Sequence, residues 1–190
     1  MPRPSLKENI VEAAIQQLHT HGYNGSSVED ITRAAGVPKG SFYNHFGSKE
    51  DLAVEVVHRF ADRSGWTDPI PPGESPLREL RTRFQNMHRV LHGYEFARGC
   101  LFGNMANERA DHSAKIRAEV ATNLEQWSDH AAELVAAAQR AGDITSTANP
   151  QVLGRFLVNS WEGAVTRAKA QQNDGPFQDF FTTVFDQLLI

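Results

Sequence analysis

The 190-residue sequence predicts an all-α protein, with short helices in its N-terminal third and longer ones after a proline-rich break. Three observations carry this reading. Serines at 5, 27 and 48 are each followed three residues later by Glu or Asp, the pattern of a capped helix start. Apolar residues behind these caps recur at three- and four-residue steps. Period-two alternation and Asn-Gly turns framed by strands are largely absent.

The first helix spans 6–21, opened by Ser5-Leu6-Lys7-Glu8, lined by Ile10, Ala13, Ala14 and Leu18, and stopped by Gly22. Ser27-Val28-Glu29-Asp30 opens a short second helix over 28–35, closed by Gly36. Pro38 suits the first turn of a third, 38–44, because its missing N–H would be unpaired there anyway. Ser48-Lys49-Glu50-Asp51 opens a fourth that runs to Ser64 with Leu52, Val56, Val57 and Phe60 on one side. Pro69, Pro71, Pro72 and Gly73 then interrupt helix, and the chain is cut there. The remaining stretches 76–91, 97–110, 113–141, 150–172 and 176–189 read as helices punctuated by Gly93, Gly142 and Gly175.

Composition narrows the class. With 40% apolar and 22% charged residues the chain can bury a core, which excludes disordered and fibrous proteins. No window approaches the roughly 18 apolar residues of a membrane helix, and Met1-Pro2-Arg3-Pro4-Ser5 lacks the apolar stretch of a signal peptide, so a soluble cytoplasmic protein is expected. The single cysteine, Cys100, permits neither an intramolecular disulfide nor a Cys-based zinc site.

Two short helices joined by a turn holding Gly36 form a helix-turn-helix over 28–45, in which the second helix enters the major groove. Residues 1–64 carry 7 Lys/Arg against 8 Asp/Glu, so bulk charge does not favour DNA. Distribution does: no acid lies between Ile31 and Lys49, whereas Arg33, Lys39 and Lys49 are basic.

The run Ile31-Thr32-Arg33-Ala34-Ala35-Gly36-Val37-Pro38-Lys39-Gly40-Ser41-Phe42-Tyr43-Asn44-His45-Phe46-Gly47-Ser48-Lys49-Glu50-Asp51-Leu52 resembles the signature of TetR-family (tetracycline-repressor-like) transcriptional regulators. The resemblance, over residues 5–52, implies a homodimer on a palindromic double-stranded operator, usually a repressor released by a small effector. It implies a DNA-binding domain over 1–52, helix four (48–64) as connector, and an effector-binding and dimerisation domain over 65–190. Its recognition segment falls on Lys39 to His45. Gly40 then admits close backbone approach, Ser41 and Tyr43 offer hydroxyls to phosphates, and Asn44 and His45 reach base edges or phosphates. Lys49, Ser27 and Arg33 are further candidate DNA contacts, the first two at helix N-termini. Phe42 and Phe46 are expected in the core.

In the C-terminal half, Val152, Phe156, Asn159 and Gly163 mark one face of the 150–172 helix. Phe177, Phe181, Val184, Phe185 and Leu188 mark a stripe on the last helix, and the two faces are the expected dimer interface. Gly99-Cys100-Leu101 resembles a stretch in TetR members that respond to electrophiles and oxidants. Gly99 as N-cap would place the Cys100 thiol in a first helical turn, where the dipole favours thiolate and an inward Arg98 would add to it. A small buried hydrophobe is the plainer reading of Cys100. The competing sensor is a non-covalent pocket of Phe84, Met87, His88, Leu91, Asn104, Glu108, Trp127 and Trp161. A constitutive dimeric repressor with no effector is the third possibility. His88 and His92 are spaced like metal ligands, but no Glu follows His88 as in His-Glu-x-x-His, and no catalytic, cofactor or metal pattern emerges.

Overall fold

The computed structural model describes residues 5–189, and every regular element among them is helical. In chain order these are α1 (Leu6–His21), α2 (Val28–Ala34), α3 (Lys39–Tyr43), α4 (Lys49–Arg63), α5 (Pro76–Gly93), α6 (Leu101–Arg109), α7 (Ala114–Ala141), α8 (Pro150–Gln171) and α9 (Gly175–Thr183). Local chemistry sets most of the ends. The Ser5 hydroxyl accepts from the Glu8 N–H at 3.2 Å. Gly22, at φ 76°, closes α1 by donating its N–H to Leu18. Ser27 and Asp30 form both arms of a capping box, Asp30 N–H to Ser27 Oγ at 3.1 Å and Ser27 N–H to Asp30 Oδ2 at 3.0 Å.

Three expectations are corrected. Pro38 is the N-cap of α3 and not part of its first turn. The sixth helix begins at Leu101, four residues later than its spacing suggested, because Gly99 has a φ of 71° and Cys100 is extended at φ −87° and ψ 135°, and helix cannot pass through them. The last helix changes to a π turn at Val184–Leu188.

The chain divides into two compact units. One joins the N-terminal segment, through Arg63, to Cys100–Ala121; the other joins Ser64–Gly99 to the chain from Thr122 onward. The expected effector-binding and dimerisation domain, 65–190, thus contributes residues to both units.

In the first unit α1 packs against α2, α4 and α6. Ile10, Leu18, Ile31, Phe42, Leu52 and Val56 are wholly buried, each worth roughly 1.5–3 kcal/mol of burial. Phe60 of α4 meets Phe102 of α6 edge-on at 5.2 Å. Arg59 pairs with Glu8 at 2.5 Å and Arg63 with Glu12, tying α4 to α1.

The second unit is centred on aromatic rings. Phe84 lies 4.9 Å from Trp66, 5.1 Å from Trp161 and 4.9 Å from Phe180, and Trp66 stacks on Trp127 at 5.3 Å. Gly154 lets α8 approach α7 so closely that a Cβ there would collide with the Ser128 carbonyl and Ala132 backbone. Arg83, 4% exposed, pairs with Glu79 at 2.8 Å and donates to the carbonyls of Trp66 and Asp68, so α5 grips the chain just after α4.

Candidate nucleic-acid interface

The helix-turn-helix owes its shape to a few buried groups. Phe42 is fully buried and Phe46 6% exposed, their rings 5.6 Å apart, so α3 is anchored by the side opposite its polar residues. Within α2 the buried Thr32 hydroxyl donates back to the Val28 carbonyl at 2.9 Å. With α3 held this way, Tyr43 stands 60% exposed, Asn44 and His45 follow it in solvent, and Ser41 is half-buried. Gly40 has open space around it, the condition for close approach of a duplex backbone. Tyr43, Asn44 and His45 thus form a polar row on one exposed end of α3.

The basic residues are arranged differently from expectation. Arg33 pairs with Asp30 three residues earlier, and Lys39 reaches Glu29 at 3.3 Å. Ser27 accepts from Asp30 N–H and donates to its carboxylate at 2.6 Å, so its hydroxyl serves α2. These bonds hold the Asp30 carboxyl below the usual range, the hydroxyl of Ser27 first among the causes. Lys49 was expected to present its charge to a phosphate. Its ammonium instead donates to the Tyr23 and Ser26 carbonyls, both at 2.8 Å, and lies 3.9 Å from the centre of the Tyr23 ring. Burial, then the charge of Arg109, pushes the Lys49 pKa down.

The turn between α1 and α2 is held from a second side by α6. The Glu108 carboxylate accepts from the Asn24 N–H at 2.8 Å, and a Cβ on Gly22 would collide with it. Arg109 lies 4.6 Å from the Tyr23 ring. Lys115 pairs with Asp51 at the start of α4 at 2.7 Å, the largest cause of a lowered Asp51 pKa. Glu108, expected in the effector pocket, braces the turn that leads into the helix-turn-helix. Tyr23, Arg109 and Lys115 were missed, since their partners lie far along the chain and no local pattern marks them.

The rest of the expected pocket is divided between the two units. Cys100, Asn104 and Glu108 belong to the first unit; Phe84, Met87, His88, Leu91, Trp127 and Trp161 belong to the second. Within the second, Phe84, Trp127 and Trp161 are at most 3% exposed and fill the space between helices with one another's rings. Leu91 is buried, and Met87 and His88 are half-buried, His88 Nε2 meeting Asp174 Oδ1 at 2.5 Å. Cys100 is itself the N-cap of α6, at φ −87° and ψ 135°, and 8% exposed; Gly99 precedes the cap. Arg98 stacks on the Tyr94 ring at 3.7 Å. Asn104 is half-buried.

Of the expected interface, Val152 and Phe156 are 54% and 46% exposed, with Asn159 and Gly163 also in solvent. Phe156 and Gly163 border a groove of about 340 Å³ against Phe180 and Val184. Phe177, Val184 and Phe185 are each at most 4% exposed within the chain, Phe177 against Trp161 at 5.0 Å. Phe181 and Leu188 are half-buried. Among the described residues no three His, Cys, Asp or Glu side chains could share a metal, and no helix is long and apolar enough to cross a membrane.

A capped helix-turn-helix with a polar recognition end, joined to a helical body with an exposed apolar face, defines a DNA-binding transcriptional regulator. Residues 10–56 match the family model "Bacterial regulatory proteins, tetR family" and residues 76–184 the model "Tetracyclin repressor-like, C-terminal domain". The chain belongs to the TetR family, whose regulators bind DNA and act as dimers. It is similar to the HTH-type transcriptional repressor DhaR of Mycobacterium sp. (strain GP1), 37% identical across 100% of this chain and 95% of that protein. The transcriptional regulator AcuR of Cereibacter sphaeroides is 31% identical across 93% of this chain and 82% of its own. A crystal structure of a regulatory protein TetR from Rhodobacter sphaeroides superposes with a TM-score of 0.84 at 29% identity, covering 98% of this chain and all of that one.

Proposed function

We propose that the protein is a cytoplasmic transcriptional repressor that binds a palindromic operator as a homodimer and leaves it when a small effector binds non-covalently. The observation that carries the DNA-reading half is the row Tyr43, Asn44 and His45, exposed beside the buried anchors Phe42 and Phe46. Tyr43, Ser41, Lys39 and Arg33 meet phosphates; Asn44 and His45 reach bases or phosphates; Gly40 lets the backbone close in. Lys49 and Ser27 hold the helix-turn-helix in shape. Val152, Phe156, Asn159 and Gly163 form the dimer contact, which places two recognition helices one helical turn of DNA apart.

The effector is expected among the rings around Phe84 and Trp161, entering beside Met87 and His88, whose partial exposure and flexible Met87 thioether make that edge the easiest to open. Arg83 supports this route, because a ligand that disturbs α5 disturbs its grip on Trp66 and Asp68, the segment continuous with α4. To turn operator occupancy from nearly full to nearly empty, the effector must prefer the released state by roughly 5.5 kcal/mol. Burial of Cys100 to 8% favours this reading over thiol chemistry, which needs an accessible thiolate.

The test is operator release from DNA upstream of the protein's own gene, with small flat apolar compounds and a thiol-reactive electrophile titrated against wild type and Cys100→Ser. Release by a compound in both proteins is expected. Release of wild type alone by the electrophile would replace the pocket with the thiol, and a complex indifferent to every compound, with no rise in melting temperature, would favour a constitutive repressor.

A further inference from the structure

Each of the six lysines and arginines between residues 5 and 63 is already engaged inside the protein: Lys7 with Glu55, Arg33 with Asp30, Lys39 with Glu29, Lys49 with two carbonyls, Arg59 with Glu8 and Arg63 with Glu12. With these six engaged internally, the described stretch 5–63 has no ready lysine or arginine charge for phosphates, and phosphate neutralisation is the main sequence-independent source of duplex affinity.

The partners differ in what they do for the fold. Asp30 completes the capping box of α2, Glu8 and Glu12 tie α1 to α4, and the carbonyls met by Lys49 belong to the turn before α2. Glu29 does none of this. It is the second residue of α2, its side chain is 64% exposed, and it reaches across the turn to Lys39, the first residue of α3, whose own side chain is 56% exposed. A carboxylate on an ammonium at 3.3 Å repeats the chemistry a phosphate oxygen would supply, at the residue that opens the recognition helix.

We propose that Glu29 is an internal stand-in for a DNA phosphate, an autoinhibitory charge that occupies Lys39 until a duplex displaces it and so sets the affinity of the protein for DNA of any sequence. The proposal rests on the reading of Lys39 as DNA-facing. Displacement does not involve a base, so the weakening falls equally on operator and non-operator duplexes. Once Glu29 is displaced Lys39 neutralises its phosphate as it would without Glu29, so the cost appears in affinity and not in the number of counterions released.

The experiment measures fluorescence anisotropy of labelled operator and a scrambled duplex of equal length, across about 50 to 300 mM salt, for wild type, Glu29→Gln, Lys39→Gln and the double variant. Glu29→Gln should tighten both duplexes by the same factor, about two- to fivefold at low salt, the range of one exposed ion pair. Its log affinity against log salt should steepen by clearly less than the roughly 0.9 of one phosphate, because displacement leaves the same phosphate neutralised and only the screening of the Glu29–Lys39 pair differs. Lys39→Gln should weaken both duplexes, and the double variant should bind like Lys39→Gln. The proposal is overturned if Glu29→Gln matches wild type in affinity and slope while Lys39→Gln weakens binding. It is equally overturned if the gain persists in full without Lys39, which would assign it to net charge. If Lys39→Gln binds as wild type does, the reading of Lys39 as DNA-facing falls, and the proposal with it.

Discussion

Replacing Lys49 with methionine keeps most of the aliphatic stem and removes an ammonium that donates to two carbonyls at 2.8 Å each and lies 3.9 Å from the Tyr23 ring. A hydrogen bond from a charged donor contributes about 1.5–3 kcal/mol, and a cation over a ring about 0.5–1 kcal/mol at an exposed site. Two bonds and one ring at the low end give roughly 3.5 kcal/mol, and the half-buried setting lowers this to about 2–3 kcal/mol. The loss should fall on the first unit, whose turn before α2 loses its clamp. Denaturant unfolding followed by circular dichroism measures it, and operator affinity against salt concentration measures the second half of the argument. If the ammonium is structural, stability drops by about that amount and the slope of log affinity against log salt stays at the wild-type value. If unfolding is unchanged and the slope becomes shallower by about 0.9, Lys49 leaves its carbonyls for a phosphate and the reasoning fails.

Phe156→Asp puts a charge on a side chain that is 46% exposed, so the monomer should keep its helical content while sedimentation shows dissociation and operator binding is lost. Gly22→Ala must bear a left-handed φ of 76° and a collision with the Glu108 carboxylate. A loss of about 1–3 kcal/mol in thermal unfolding is expected, part of it recovered when Glu108 is shortened to Ala in the same chain. Burial holds the His130 imidazole below its usual pKa of 6.5, with Arg83 adding to the effect. The unfolded chain therefore binds a proton that the folded one refuses, and stability should fall as pH drops below about 6.5 and level off once the folded-state pKa is passed. His130→Phe should flatten that stretch of the melting-temperature profile, and a wild-type profile that instead rises towards acid would contradict the assignment.

Where an element depends on neighbours in sequence, the residues announce it. Ser27 and Asp30 are three apart and form both arms of their capping box; Gly22 closes α1 at the predicted position; Phe42 and Phe46 sit in the core while Tyr43 between them faces out. These follow from helical spacing and capping chemistry, which act over one turn. What depends on distant partners is not legible. Glu108 looks like a polar residue one turn beyond Asn104, and only the fold reveals that Asn24, 84 positions away, donates to it. The stripe Phe177, Val184 and Phe185 has the spacing of an interface, but spacing gives only the side that turns from water; that side is filled by the chain's own Trp161 and Phe84. The displaced start of α6 has a third cause: Gly99, inside the expected range, takes a left-handed φ of 71°, a choice glycine permits and spacing does not reveal.

The first compact unit is discontinuous in sequence: α1 to α4 are complete at Arg63, but Cys100–Ala121, with Phe102 against Phe60 and Glu108 under the turn before α2, arrives later. A ribosome adding roughly 5–20 residues per second therefore needs about 3–12 s between finishing α4 and delivering the last of these supports. During that interval the nascent DNA-reading helices lack Glu108 and Phe102, and the incomplete head exposes part of an apolar surface that the finished protein hides. Chaperone capture should concentrate on chains stalled between Arg63 and Ala121, and a chimera that exchanges only residues 1–63 would inherit a head without its own brace.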